Sequence, residues 1–392
     1  MKIALKLHLV RYVIFVISFF PFLSQVNAAN YNPELVMYAL GHHNPNLKII
    51  TAHRGLYGAG CPENTVCAIR ATANQGIESV EIDVKESKNG TVWPFHDETV
   101  GRSTNYTYNG NMFNPFIYSR VNSMANPPVA DLSDEQLYRL KWRDPSGAVS
   151  GYWVDDLKAT LNNVKTLIPN VVVILDIKTT TAVRRCAEII NELGMGSSVL
   201  LKFSVRLFPP ALIKSATGGF RFAPTVYMGD LDSLYANYRY ITYSPVSAVA
   251  GYLQEYAVQE GFTYYEVGVK EFSEDRFIPG DGIWSAHGSL AQIINILARD
   301  GHAIGNFAPV TEHTPDARSR ATGFYDSFGA CCVSLTKYLT RTQHFGTESR
   351  DDRPYIDAEV YMFDNILTDA AARAVSIAET RGYRRELYKL IR

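Results

Sequence analysis

Glu81 and Asp83, in the run Ser79-Val80-Glu81-Ile82-Asp83-Val84, are the first residues whose types and spacing suit chemistry. Side chains alternate faces along a strand, so the two carboxylates point one way while Val80, Ile82 and Val84 point the other. Burying two like charges in one place is costly unless a cation or proton compensates, and a divalent metal is the natural resolution. Oxygen-only ligands favour magnesium or calcium. An isolated Glu-x-Asp would more simply be the solvated face of an edge strand, but the rest of the chain reverses that reading. Asp176-Ile177-Lys178 closes Val171 to Ile177, the most apolar strand candidate, where an unpaired charge is hardest to tolerate. Asp176 is therefore a candidate third metal ligand. Lys178 should face the same cavity and neutralise a phosphate oxygen. The plainer alternative is a buried Asp-Lys pair with no substrate.

His53-Arg54-Gly55 ends one strand candidate and His96-Asp97 ends an extended piece after the turn at Asn89-Gly90. A lone histidine is more often structural. Two at matching strand ends beside an acidic pair can serve as general base and general acid, activating a nucleophile and protonating a departing alkoxide.

These residues need elements that bring strand ends together. From about residue 47, short β-branched runs alternate with helical stretches, the pattern of an α/β fold with a parallel sheet. Strands are expected at 48–53, 79–84, 171–177, 199–203, 220–227, 263–269, 302–307 and 365–368, with a short extended piece at 91–95. Helices are expected at 64–75, 182–194, 209–216, 289–299 and 369–381. Eight strands and intervening helices predict a (β/α)8 TIM barrel over residues 47–392, with its site at the carboxyl ends of the strands. Residues 101–150 and 311–356 do not fit a minimal barrel and are expected to be insertions at the loop face.

The whole chain has 392 residues, 46% hydrophobic and 20% charged, and a net charge of −1. That balance gives no long-range pull toward nucleic acid or an anionic membrane, so any phosphate site must be local. Lys2, Lys6 and Arg11 precede an apolar run from Tyr12 to Leu23 and the small-residue pattern Val26-Asn27-Ala28-Ala29. A cleavable signal peptide over residues 1–28 is expected, with secretion or periplasmic export and no lasting membrane anchor. Residues 29–46 lead into the barrel. Cys61 and Cys67 bracket a short loop that a disulfide can close, Cys186 falls in a helix and Cys331 and Cys332 are adjacent. No CxxC pair exists, which argues against a zinc cluster.

Taken in order, His53-Arg54-Gly55, Pro62-Glu63-Asn64-Thr65, Glu81-Ile82-Asp83, Asn89-Gly90, His96-Asp97 and Arg102-Ser103-Thr104 resemble the opening of the glycerophosphodiester phosphodiesterase family. Leu175 to Lys178 and Asp364 to Asp369 extend the resemblance more weakly. It implies a TIM barrel that hydrolyses small phosphodiesters. It places the metal on Glu81, Asp83 and Asp176, has His53 and His96 as acid and base, and puts Arg54 and Lys178 on phosphate. Glu63 matches an acidic residue of the family's site, either touching the metal or orienting its neighbours. The family usually has Glu where this chain has Asp176, and a Trp-Thr-Asn-like stretch where it has Gly305-Asn306-Phe307. Asp-x-Lys at 176–178 is similar to the sphingomyelinase D-like phospholipases, so phospholipase D-like action on intact lipids is the alternative activity, supported also by aromatic residues of the insertions such as Phe113, Phe116 and Tyr118. A catalytically inactive barrel used for binding is the alternative from another class.

Overall fold

Strands that are apolar toward a ring of helices and mixed toward an interior suit a parallel sheet that closes on itself. The computed structural model describes residues 30–114, 122–227, 230, 233–235, 245–268, 272–273, 276–277, 289–308, 324–325, 331–333 and 356–391. Its barrel strands are β1 (Ile49–Ala52), β2 (Ser79–Glu86), β3 (Val172–Ile177), β4 (Val199–Ser204), β5 (Phe222–Tyr227), β6 (Tyr265–Gly268), β7 (Ile304–Ala308) and β8 (Asn365–Thr368). Each pairs in parallel with the next. The register Ile49↔Asn365 through Ala52↔Thr368 joins β8 to β1 and completes the ring. All eight expected strands are present, and the chain is a (β/α)8 barrel.

The outward side chains of β2 and β3 (Val80, Ile82, Val84, Val173, Leu175 and Ile177) pack with Leu157, Leu161 and Val164 of helix Leu157–Leu167 and with Val183 and Ile190 of helix Thr180–Leu193. Each such side chain contributes roughly 1.5–3 kcal/mol on burial. At the amino end of the barrel, helix α1 (Pro33–Leu40) inserts Val36, Met37 and Leu40 against Val172, Ile174, Leu200, Ala223 and Tyr264. Asn32 caps α1 by accepting from Glu34 N, and Pro33 occupies its first turn, where a missing N–H costs nothing. Beside it, Arg384 forks onto Glu78 at 2.6 and 2.8 Å. The amino end is thus closed, and open chemistry is left to the carboxyl end.

Several boundaries differ from the sequence expectation, and the differences serve the site. Helix α2 is Val66–Asn74, because Asn64 takes a left-handed backbone (φ +58°) and Thr65 acts as the N-cap. The last helix is Ala371–Thr380, which leaves Asp369 outside it. The expected helix at 209–216 is a 3-10 turn, Pro210–Leu212, followed by Ile213–Thr217. Helices α1, Leu157–Leu167, Pro245–Ala257 and Ile356–Met362 were not anticipated. The described residues of 101–150, namely 101–114 and 122–150, carry more regular structure than their polar composition suggests. They hold the hairpin Thr107–Tyr108 with Asn111–Met112, and Lys141–Arg143 pairs with Val149–Trp153. Val129, Leu132, Leu137, Leu140 and Trp142 pack on Trp93 and Phe95 at the barrel mouth. Phe113 is also buried. The proposed signal peptide, Phe116, Tyr118 and most of 311–356 lie outside the described residues. No helix of the described residues is long and apolar enough to cross a membrane.

Candidate active site

The turn after β1 begins the site. His53 donates its backbone N–H to Thr368 O, and the next two residues, Arg54 (φ +55°) and Gly55 (φ +79°), both adopt left-handed backbone. A Cβ on Gly55 would meet the Ala68 backbone carbon at 2.7 Å, so only glycine lets α2 approach this closely. Strained non-glycine residues such as Arg54 and Asn64 persist where surrounding contacts over-determine them. Those contacts are present. Asn64 N donates to Arg54 O at 3.0 Å, Asp83 N donates to Asn64 Oδ1 at 3.0 Å, and Asn64 Nδ2 donates to Asp83 Oδ2 at 3.3 Å. The Cys61–Cys67 disulfide brackets the loop that carries Glu63 and Asn64.

Pleating of β2 sends Glu81 and Asp83 into the barrel, and Asp83 and Asp176 are register partners on β2 and β3. His53, Glu81 and Asp83, all buried, each offer one ligand atom within 4.8 Å of the others, a group able to hold a metal ion. Glu81 accepts from Arg54 N at 3.1 Å through Oε2, whereas its buried Oε1 has no hydrogen-bond partner among the described residues. Burial, and then the charge of Asp83, push Glu81 up to about 7. A carboxylate buried with an orphaned oxygen beside a second carboxylate is the arrangement a cation completes, and the donor set fits one. Asp83 is held well below the usual carboxylate range: burial alone would raise it, but His96 and Arg54 outweigh that. Arg54 Nε lies 3.1 Å from Asp83 Oδ2, and Arg54 itself is fully buried.

Both histidines are oriented by carboxylates. His53 Nδ1 meets Asp369 Oδ1 at 3.1 Å, and Tyr57 Oη donates to the same oxygen at 2.9 Å. That leaves His53 Nε2 toward Glu81, 3.9 Å away. Burial would lower His53, yet Asp369 and Glu81 raise it above its ordinary value. His96 Nδ1 meets Asp97 Oδ1 at 2.8 Å. Arg102 ties that pair to the loop, donating from Nε to Asp97 Oδ2 at 2.6 Å and from Nη2 to Glu63 Oε1 at 2.5 Å. Glu63 and Asp97 are therefore held below their ordinary values against the pull of burial.

Asp176 stands in a cationic surrounding, with Lys178 Nζ 2.7 Å and Lys202 Nζ 3.4 Å from its Oδ2. These lysines lower it, although burial alone would raise it. Lys202 is buried on β4 and donates to Glu266 Oε1 on β6 at 2.9 Å. Sequence reading assigned no role to Lys202, Glu266, Asp369, Tyr57 or Arg102. A charged residue interrupting each apolar run, Lys202 in Val199 to Phe203 and Glu266 in Thr263 to Val269, was the available signal. For Asp369 the signal was its place at the end of the Asp364 to Asp369 stretch that extends the family resemblance.

The model of the glycerophosphoryl diester phosphodiesterase family matches residues 53–208. A glycerophosphodiester phosphodiesterase from Caldanaerobacter subterraneus subsp. tengcongensis is 40% identical over 57 residues, which is 14% of this chain and 23% of that relative. The chain thus aligns with about a quarter of the length of the curated relatives it matches. A glycerophosphoryl diester phosphodiesterase structure from Parabacteroides distasonis shares the fold at a TM-score of 0.55 and 16% identity, over 91% of this chain and 94% of the other. An Oleispira antarctica phosphodiesterase, solved with the product sn-glycerol-3-phosphate, does so at 0.50 and 14%, over 85% and 97%. Over residues 53–208 the chain is thus similar to the glycerophosphoryl diester phosphodiesterase family, and the barrel built around them shares its fold with structures that carry that name.

Proposed function

We propose that this protein is a phosphoric diester hydrolase that cleaves glycerophosphodiesters to a glycerol phosphate and an alcohol, using a divalent cation and two histidines. The observation that carries this reading is the meeting of His53, Glu81 and Asp83 within 4.8 Å at the strand ends, inside the stretch matched to the family. Glu81 and Asp83 would hold magnesium or calcium, with Asp176 as the third carboxylate, since its lysines occupy one oxygen and leave the other. Such an ion supplies positive charge where the phosphoryl oxygens gain negative charge. Arg54 and Lys178 flank the acidic group and would contact the phosphate. One histidine takes the proton of the attacking hydroxyl, from water or a neighbouring glycerol hydroxyl, as the new P–O bond forms. The other donates a proton to the departing alcohol oxygen as the old bond breaks. Asp369 and Asp97 keep each ring's Nδ1 occupied, so Nε2 of each is the working atom. Glu63 acts through Arg102 and Arg54 as an orienting group.

A panel of glycerophosphodiesters, assayed with and without chelator, tests the assignment. Release of glycerol phosphate that stops with chelator and returns with magnesium or calcium is expected; no turnover of any diester, or turnover indifferent to chelator, would refute it. Faster hydrolysis of intact phospholipid vesicles than of glycerophosphocholine would move the activity to the phospholipase D-like alternative. The same proposal includes export with loss of residues 1–28. The Cys61–Cys67 disulfide supports it, because such bonds persist in oxidising compartments. Amino-terminal sequencing of the mature protein should begin near Ala29, and an intact Met1 in a cytosolic fraction would contradict it.

A further inference from the structure

The inward column of β2 does not end with its carboxylates. Ser79, Glu81 and Asp83 share one face, and Lys85 continues it, held at the mouth by the hairpin pairing Lys85↔Trp93. Val84 and Ile177 are the last paired residues of β2 and β3, so Lys85 and Lys178 stand side by side one step beyond them. The other cations of the mouth have contact partners: Lys178 and Lys202 on Asp176, Arg102 on Asp97 and Glu63, Arg54 on Asp83. Lys85 is half-buried, and no hydrogen bond or ion pair with a described residue reaches its ammonium. Asp83, Asp176, Asp97 and Lys178 act on it only at longer range. It also sits two residues beyond Asp83, or about 6.6 Å further toward solvent at the rise of a strand. The phosphate being cleaved belongs at the level of Glu81 and Asp83, so what meets Lys85 is another part of the substrate.

We propose that Lys85 is a specificity-determining residue that holds a second anionic group on the alcohol side of the substrate, selecting glycerophosphodiesters whose alcohol carries a carboxylate. This rests on the diesterase reading above. A partly desolvated ammonium without a contact partner among the described residues favours an incoming anion, and the ~6.6 Å step allows for the few bonds separating a phosphorus from a carboxylate on the esterified alcohol. The bland alternative is that Lys85 only offsets the acidic field of the mouth, in which case it would not discriminate between alcohols.

Glycerophosphoserine and glycerophosphoethanolamine differ by one carboxylate and separate these possibilities. The ratio of their kcat/KM values should favour the serine diester in the wild-type protein. It should fall about tenfold in Lys85→Met, through KM of the serine diester, and be largely restored in Lys85→Arg. A ratio unchanged in Lys85→Met, or both substrates falling together, overturns the proposal. Should neither diester be hydrolysed, the diesterase reading fails on its own. Calorimetric binding of glycerophosphoserine then still decides this one: affinity about tenfold weaker in Lys85→Met supports it, and no binding or equal affinity sinks it.

Discussion

Two glutamates three residues apart, both fully buried, mark the two ends of this barrel and show what burial of charge is for in each. Glu78, at the amino end, has both oxygens forked by Arg384 and a further donor in Ile50 N at 3.0 Å. Glu81, at the carboxyl end, has one backbone donor and an oxygen with no hydrogen-bond partner among the described residues, beside a second carboxylate. The first is a closed structural pair. The second is a charge whose complement the described protein groups do not fully supply. Similar burial thus separates a carboxylate whose partners are complete from one that still has an oxygen to offer a cation.

The largest expected effect separates the two directly. Glu81→Gln should lower kcat/KM by about 10³-fold or more while leaving the fold intact, because it removes a carboxylate charge that would hold the cation. Glu78→Gln should instead cost roughly 3–5 kcal/mol of stability by stranding Arg384, with turnover per folded molecule preserved. Unfolding curves and kinetics on both variants check this, and a Glu81 variant that unfolds before it loses activity would erase the distinction. His96→Ala should reduce kcat by about 10²–10³-fold, as loss of an acid or base does, without changing cation affinity. Calorimetric titration of the ion reads the second half.

The pH dependence sharpens the same contrast. Glu81 is raised to about 7 from an ordinary 4.5. A group with a raised folded value binds its proton more tightly when folded. Stability from this carboxyl is therefore present below its unfolded value and lost as pH rises toward about 7. A bound cation offsets that loss, so the rise in Tm on adding magnesium or calcium should be larger at high pH than at low. An equal rise at both would show that Glu81 is not a ligand. Replacing Cys61 and Cys67 with serine should cost about 2 kcal/mol by the loop-entropy model. The smallest effect is expected of Asp369→Asn, about tenfold in kcat with the pH profile displaced, because the ring keeps a hydrogen-bond partner but loses the charge that favours its protonated form. Displacement of the profile is the readout that a purely structural role would not move.

Much of the barrel was legible from local pattern, since buried strands must be apolar and short and their spacing leaves room for helices. The eight strands were located to within a few residues on that basis, and the strand period put Glu81 and Asp83 on one face. Motif order supplied His53, His96 and Glu63. Helices fared worse where polar residues dilute the apolar stripe, as in Leu157–Leu167, and the compact core beneath residues 101–150 was hidden by polar composition.

Sequence by itself determined the element order and the inward carboxylates, because alternation and hydrophobic burial act over a few neighbouring residues. Tertiary structure alone decided which charges meet. It set Asp369 on His53 across 316 residues, Arg102 between Glu63 and Asp97, and Lys202 between Asp176 and Glu266. Those pairings depend on closing the sheet, which brings β8 against β1 and turns strand ends far apart in the chain toward one mouth.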